Sequence, residues 1–322
     1  MRAAAAIGIA FALAWGIGRI ATDSSVATQW LHWIPTVVAL LVSLVCVAVL
    51  VLRRAWRWAR VLLVVAGVQV ACVFAQDWHP WRSAPIPTVG ERGVIRVAHF
   101  NANWPGASSA RVAEALAAAL DRSFQSTGAD VLFLSERGDV LAAAALLGLV
   151  PDGVNPITVG RFAVISRIPI LEARPLFDDL SSAAAVIRFE ATESTPQWSA
   201  FLVDAPSDLR LSRVRVMEAI AARLATHSLG ETDLLLGDFN AVRGGVASAR
   251  VSGSMRHAFD EGGVGWGGTF PRAWPLWHLD QFYCGDRVDV LRYETVDLGI
   301  GQHRAQAATL RVWDTTPAAL DP

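Results

Sequence analysis

Three apolar stretches crowd into the first eighty residues, and they constrain everything that follows. They run from Ala3 to Ile20, from Thr36 to Leu52 and from Val61 to Ala75. A helix that crosses a bilayer needs about 20 mostly apolar residues, so the third stretch reaches that length only if its flanks contribute. Buried helices of a soluble protein are the alternative reading. Trp30, Trp33, Trp56, Trp58, Trp78 and Trp81 border the three stretches, however, as anchors at a membrane–water interface do. The expectation is a membrane region over residues 1–76, with spans at about 3–20, 36–52 and 61–76. The first stretch follows Arg2 and also has the form of a secretory signal, although no small-residue cleavage site precedes Thr22. A retained span and a cleaved signal both stay open.

The loops predict the orientation. Arg53, Arg54, Arg57 and Arg60 fall between the second and third stretches, whereas residues 21–35 carry Asp23 and no basic residue. Basic loops stay in the cytoplasm. The first loop and everything after residue 76 are therefore expected on the periplasmic or exterior side of a multi-pass cytoplasmic (inner) membrane protein. Charge divides the chain at the same place. Residues 1–92 hold 8 Arg and 3 acidic residues, a net +5, and the remainder holds 20 Arg and 26 acidic residues, a net −6. Residues 77–92, with Pro80, Pro85 and Pro87, read as a short stiff linker. Residues 93–313 read as one outer domain and 314–322 as a tail.

In the outer domain, strand-like runs recur at Val94–Phe100, Val131–Leu134, Phe162–Ser166, Ala184–Glu190, Ala200–Val203, Asp233–Leu236 and Ala307–Val312. Helical spacing appears at Ser109–Ser123 and Leu211–Thr226. Strands that alternate with helices predict a layered α/β domain, and periodicity leaves open whether its sheets are parallel or mixed. Three Cys residues, two of them inside the apolar stretches, exclude a disulfide scaffold, and no Cys/His spacing fits zinc.

Polar residues sit where the strands end. Asn101 and Asn103 follow the first strand, Glu136 follows the second, and Asp238 and Asn240 close LLLGDFN. Asp280 lies in LWHLDQFYC, and His303 just before the last strand. Taken singly, each is explained by turn and cap preferences. Their order, with FAVISRIPI at 162–170 and GWGGTFP at 265–271, resembles the endonuclease/exonuclease/phosphatase superfamily of DNase I-like phosphoesterases, over residues 94–312. The chain resembles in particular bacterial members of that superfamily with a few N-terminal spans. The resemblance implies a four-layered α/β sandwich, two packed mixed sheets with helices outside, that hydrolyses phosphate esters with Mg²⁺ or Mn²⁺. It implies Glu136 as metal ligand and Asp238 as the group that orients or deprotonates water. Asn240 would donate to the phosphate, and Asn101 would hold the metal ligand or a phosphate oxygen. His303 would stabilise the charged transition state, with Asp280 behind it.

This sequence departs from the pattern at two notable places. Most members carry His where Asp204 stands, and usually Ser-Asp-His where Gly301-Gln302-His303 stands. An anion facing a phosphate repels substrate unless a cation lies between them, and Gln302 lacks the carboxylate that assists the metal. Asn103, Asp204 and Gln302 therefore remain possible substrate-binding positions. His99 and His278 flank matched positions as conceivable extra ligands. Two functions stay open: a membrane-tethered metal-dependent phosphoesterase, or a catalytically degenerate membrane-anchored binding module of the same fold. A domain at −6 lacks the basic face that drives nucleic-acid binding, although Arg161, Arg167, Arg174, Arg213 and Arg215 could gather locally. A small or lipid-borne phosphoester is favoured over DNA. A lipid substrate predicts an exposed apolar rim from Trp104, Trp266, Trp274 and Trp277.

Overall fold

A computed structural model describes residues 2–83, 91–123, 129–136, 139–146, 148, 154–179, 182–227 and 232–314. The chain opens with helices α1 (Arg2–Ala21), α2 (Val26–His32), α3 (Thr36–Leu52) and α4 (Trp56–Cys72), the last continued by a π-turn over Val73–Asp77. The segments Ala3–Ala21 and Trp56–Asp77 are each long and apolar enough to cross a membrane, and α2 with α3 form a third such unit bent by 67°. The Trp56 turn and the π-turn supply the length that the third apolar stretch lacks. α2 itself begins at Ser25, whose hydroxyl accepts from the Thr28 amide while Thr28 reciprocates.

Two six-stranded sheets and their crossovers then build the domain. In chain order they are β1 (Trp78–His79), β2 (Val94–Asn101), α5 (Ser109–Ser123), β3 (Val131–Ser135), α6 (Val140–Leu146), β4 (Asn155–Val159), β5 (Phe162–Ser166), β6 (Ile170–Asp178), β7 (Ala183–Phe189) and β8 (Trp198–Asp204). There follow α7 (Arg213–Ala225), β9 (Leu234–Asp238), α8 (Val246–Ser252), β10 (Arg256–His257), α9 (Ala258–Gly262), β11 (Gly265–Trp266), β12 (Asp280–Cys284), β13 (Val288–Val296) and β14 (Ala305–Val312). One six-stranded sheet has the order β13-β14-β2-β3-β5-β4 and the other β10-β12-β9-β8-β7-β6. β2–β3 and β8–β9 are parallel among otherwise antiparallel pairs, so both sheets are mixed.

Three apolar cores lie between four layers. Leu234, Leu236, Val131, Phe133 and Trp198 fill the space between the sheets. Leu132 and Leu134 face outward under α5 and α6, and Leu235 faces outward with Met217 and Ile220 of α7. A strand covered on both faces reads as an unbroken apolar run, which is why LLLGD and VLFLS show no alternation. The helices on both outer faces thus complete the four-layered sandwich. The sequence runs predicted as strands and the two helices all fall on observed elements. β4, β6, β12, β13, α6 and α8 went unread because they are short, irregular or only half-buried on one face.

The segment expected as a linker is partly folded onto the domain. Trp78 pairs with Trp266 and His79 with Gly265, and residues 84–90 lie outside the described residues.

Candidate active site

Register brings three carboxylates to one level. Asp238, the last residue of β9, is paired with Asp204 of β8 on one side and with Asp280 of β12 on the other. All three are buried. The glycine of the Gly-Asp-Phe-Asn turn makes this possible: Gly237 has φ +141, and a Cβ there would meet the Val203 carbonyl oxygen at 1.9 Å. From the other sheet, Asn101 ends β2 beside Ser135 of β3, which places Glu136 next to it. Glu136 (φ +66) and Asn240 (φ +46) hold left-handed backbone. That conformation is unfavourable for Glu, and such strain collects at functional turns.

A hydrogen-bond web joins the two sheets across this rim. Asn101 Nδ2 donates to Asp238 Oδ2 at 2.9 Å and to Glu136 Oε1 at 3.3 Å. Asn101 Oδ1 accepts the Asn103 backbone amide, so Asn103 contributes main chain here. The Asn240 amide donates to Asp238 Oδ1 at 2.8 Å, and Asn240 Nδ2 to the Ala205 carbonyl. His303 Nδ1 lies 2.8 Å from Asp280 Oδ2, and its Nε2 lies 4.0 Å from Asp238 Oδ2. Gln302 is exposed, and its carbonyl accepts the Arg272 amide.

Electrostatics separate these groups. Burial disfavours the charged ring of His303, but the Asp280 carboxylate outweighs it and pushes the imidazole up to about 9. The same pairing overcomes burial at Asp280 and holds that carboxyl below its usual range. Asp238 moves well upward, through burial first and then through the negative charge of Asp280. Asp204 rises to about 7, through burial and then Glu136, against the pull of Arg161. His303 is accordingly a cation at neutral pH, paired with the ionised Asp280, while Asp238 and Asp204 resist ionisation as long as no cation joins them.

The donor set suits a hard divalent ion. Carboxylate oxygens of Glu136, Asp204 and Asp238 lie within 4.8 Å of one another, as do ligand atoms of Asp238, Asp280 and His303. Oxygen ligands of this kind match Mg²⁺ or Mn²⁺, and crowded carboxylates repel one another until a cation joins them. His303 is already committed to Asp280 through Nδ1, which leaves the all-oxygen group as the better cradle.

Two contributions escaped the sequence reading. Arg161, considered there only as part of a basic patch, donates to Asp204 Oδ2 at 3.0 Å and to Asp178. It supplies a cation at the rim where the substituted His is missing. No local signal reveals this, because β5 and β8 lie in different sheets. Thr269 is the second: its Oγ1 accepts the amides of Leu279 and Asp280, fixing the start of β12. Thr269→Val removes the acceptor for both buried donors and is expected to lower stability by about 2–4 kcal/mol, measured by thermal melting of the intact chain in detergent.

Other candidates are placed elsewhere. His99 bonds to Gln306 and Ser135, and His278 to Tyr293, both in the interior where burial lowers their pKa. Arg174 pairs with Glu172, while Arg167 and Arg213 donate to backbone carbonyls, so these residues are held by their own partners. Trp274 is 78% exposed, and Trp104, Trp266 and Trp277 are half-buried.

Solved structures share the fold. An endonuclease/exonuclease/phosphatase family protein from Bacteroides thetaiotaomicron superposes with a TM-score of 0.56 at 15% identity, covering 70% of this chain and 98% of its own. A mannosyl-6-phosphatase from Bacteroides thetaiotaomicron VPI-5482 gives 0.54 at 17% identity, covering 67% and 99%. The D. rerio protein TDP2, complexed with a single-strand DNA product, gives 0.51 at 10% identity, covering 68% and 99%. No curated protein matches the sequence. The family profile, by contrast, spans residues 98–301, from the strand that carries Asn101 to the Gly301 turn before His303. With its sheets, its rim of carboxylates and that match over most of its length, the chain belongs to the endonuclease/exonuclease/phosphatase family of phosphoester hydrolases.

Proposed function

We propose that this protein is a membrane-tethered, divalent-cation-dependent phosphoesterase. Its catalytic domain stands on the non-cytoplasmic side of the inner membrane, and its substrate is a small or lipid-borne phosphoester. The observation that carries this reading is the convergence of Asn101, Glu136, Asp204, Asp238, Asp280 and His303 at the ends of strands from both sheets. Glu136 and Asp204 would hold Mg²⁺ or Mn²⁺ beside Asp238. When bound, such an ion neutralises charge that grows on the phosphoryl oxygens.

The remaining work falls to the protein's own groups. Asp238, fixed by Asn101 and Asn240, orients a water and accepts its proton. The water oxygen bonds to phosphorus, the ester P–O bond breaks, and the departing oxygen is protonated from solvent. His303, kept charged by Asp280, donates through Nε2 to the phosphoryl oxygens as negative charge accumulates. Asn240, anchored on Ala205, directs its remaining amide hydrogen to the same group.

The intact His303–Asp280 pair favours this reading over the degenerate module. So does Arg161, which restores a positive charge beside Asp204. The test uses the intact chain in detergent with a chromogenic phosphodiester, a phosphomonoester, DNA and a phospholipid, each with Mg²⁺, Mn²⁺ or EDTA. Turnover that EDTA abolishes supports the phosphoesterase, and silence on every substrate favours the binding module. Metal binding has its own readout. Mn²⁺ at about 100 times its dissociation constant is expected to stabilise the fold by about 2.7 kcal/mol, seen as a higher melting temperature than in EDTA.

A further inference from the structure

The loop between β11 and β12 feeds the site, and it is gripped at both ends by segments that emerge from the apolar helices. At one end Trp78 and His79, directly after α4 and its π-turn, pair with Trp266 and Gly265, and the Asp77 carbonyl accepts the Gly267 amide at 2.9 Å. At the other end Trp277 Nε1 donates to the Trp33 carbonyl at 2.8 Å, with the two rings 5.9 Å apart. Trp33 closes α2, and α3 begins three residues later. Between these grips lie Thr269, which fixes Asp280, and Phe270, whose ring stands 5.0 Å from His303.

The polar loop around α2 reinforces the contact. Gln29, 1% exposed, donates to the Leu209 and Leu211 carbonyls and accepts the Arg213 amide, while Asp23 accepts the Ala247 amide. These side chains are buried by the domain, so the first loop and the domain form one interface. His303 therefore lies only three ring contacts, through Phe270, Trp277 and Trp33, from the start of an apolar helix. Exposed tryptophans flank that route: Trp30 (49%) one turn before Trp33, Trp274 (78%) three residues before Trp277, and Trp81 (67%) three residues after Trp78. Large amphipathic rings in such positions suit the headgroup layer of a bilayer.

We infer that the substrate is a lipid carrying a phosphoester headgroup, taken directly from the outer leaflet, with Trp30, Trp81 and Trp274 seated among headgroups and the 265–277 loop guiding the ester to His303. This inference rests on the phosphoesterase reading above and names its substrate class. Water-soluble esters carry the same reacting phosphate, and the experiment separates the two sources. The intact chain is reconstituted with Mn²⁺ and given vesicles of phosphatidylglycerol, phosphatidylethanolamine or phosphatidic acid, the deacylated counterpart of each, and bis(p-nitrophenyl) phosphate. At equal phosphorus concentration, one of these lipids is expected to turn over about 100-fold faster than its deacylated form, because the tether raises its effective concentration. Trp274→Ala is expected to reduce that ratio about ten-fold through lost interfacial burial. A deacylated ester hydrolysed as fast as its lipid overturns the inference, as does a ratio indifferent to Trp274→Ala. Turnover of bis(p-nitrophenyl) phosphate with no lipid hydrolysed also overturns it and leaves the phosphoesterase standing. No turnover of any probe removes both.

Discussion

Asp238→Asn is expected to lower metal-dependent hydrolysis of a chromogenic phosphodiester by about 10³–10⁴-fold, the upper range for loss of a positioned general base. Both oxygens of Asp238 are already directed, one by Asn101 and one by the Asn240 amide. The side chain cannot relax toward a substitute geometry, and an amide can neither accept the proton nor keep both donors satisfied. The effect belongs in kcat more than in KM, because the group acts on the water rather than on the bound ester. Steady-state kinetics on the intact chain, with metal affinity measured separately by calorimetry, checks this result. A variant with near-normal kcat would assign the proton to another carboxylate of the rim.

Asp280→Asn is expected to carry a large and pH-dependent cost to the fold. His303 rises from an ordinary 6.5 to about 9, with Asp280 overcoming the burial that opposes the change. A raised folded-state pKa contributes stability that is fully present below the unfolded value and fades as pH climbs through the folded one. The pair therefore contributes about 3 kcal/mol below pH 6.5, falling toward nothing above about pH 9. Melting temperatures of wild type and Asp280→Asn should differ most near pH 6 and converge near pH 10. Activity should follow the same titration, because a neutral His303 no longer opposes the charge on the phosphoryl group. A gap between the two proteins that persists at pH 10 would mean that Asp280 acts by packing rather than by charge.

Much of the molecule is legible in the residues themselves. The strand ends were readable because β3 and β9 run as apolar blocks into Glu136 and Asp238 and the mostly apolar β2 runs into Asn101, and a change from apolar to polar is a local signal. α5 declared itself by its spacing and its serine start, and α7 by its amphipathic spacing. The short, irregular elements β6 and β13 did not, since their exposed residues break any period. Asp204 looked like a damaged position from the sequence, because it puts an anion facing the phosphate where most members of the family carry His. Arg161 balances it from the other sheet, across a contact that only the sandwich creates.

The region before the domain shows the same division. Apolar length, the Trp borders and the Arg cluster between α3 and α4 are properties of consecutive residues, so segmentation and expected orientation could be read directly. Asp23 and Gln29 looked like ordinary polar residues of a short exposed loop. Their burial against Ala247 and Arg213 required the domain to fold back over more than a hundred residues of chain. What the amino-acid sequence determined by itself was the well-buried strands, the two long amphipathic helices and the identity of the strand-end side chains, because hydrophobic periodicity and turn preference act over a few neighbours. The tertiary structure alone decided which carboxylates share a charge, which cation answers Asp204, and that the loop beside His303 is held by the apolar helices. Those depend on register and on contacts between residues far apart in the chain, and no local pattern encodes them.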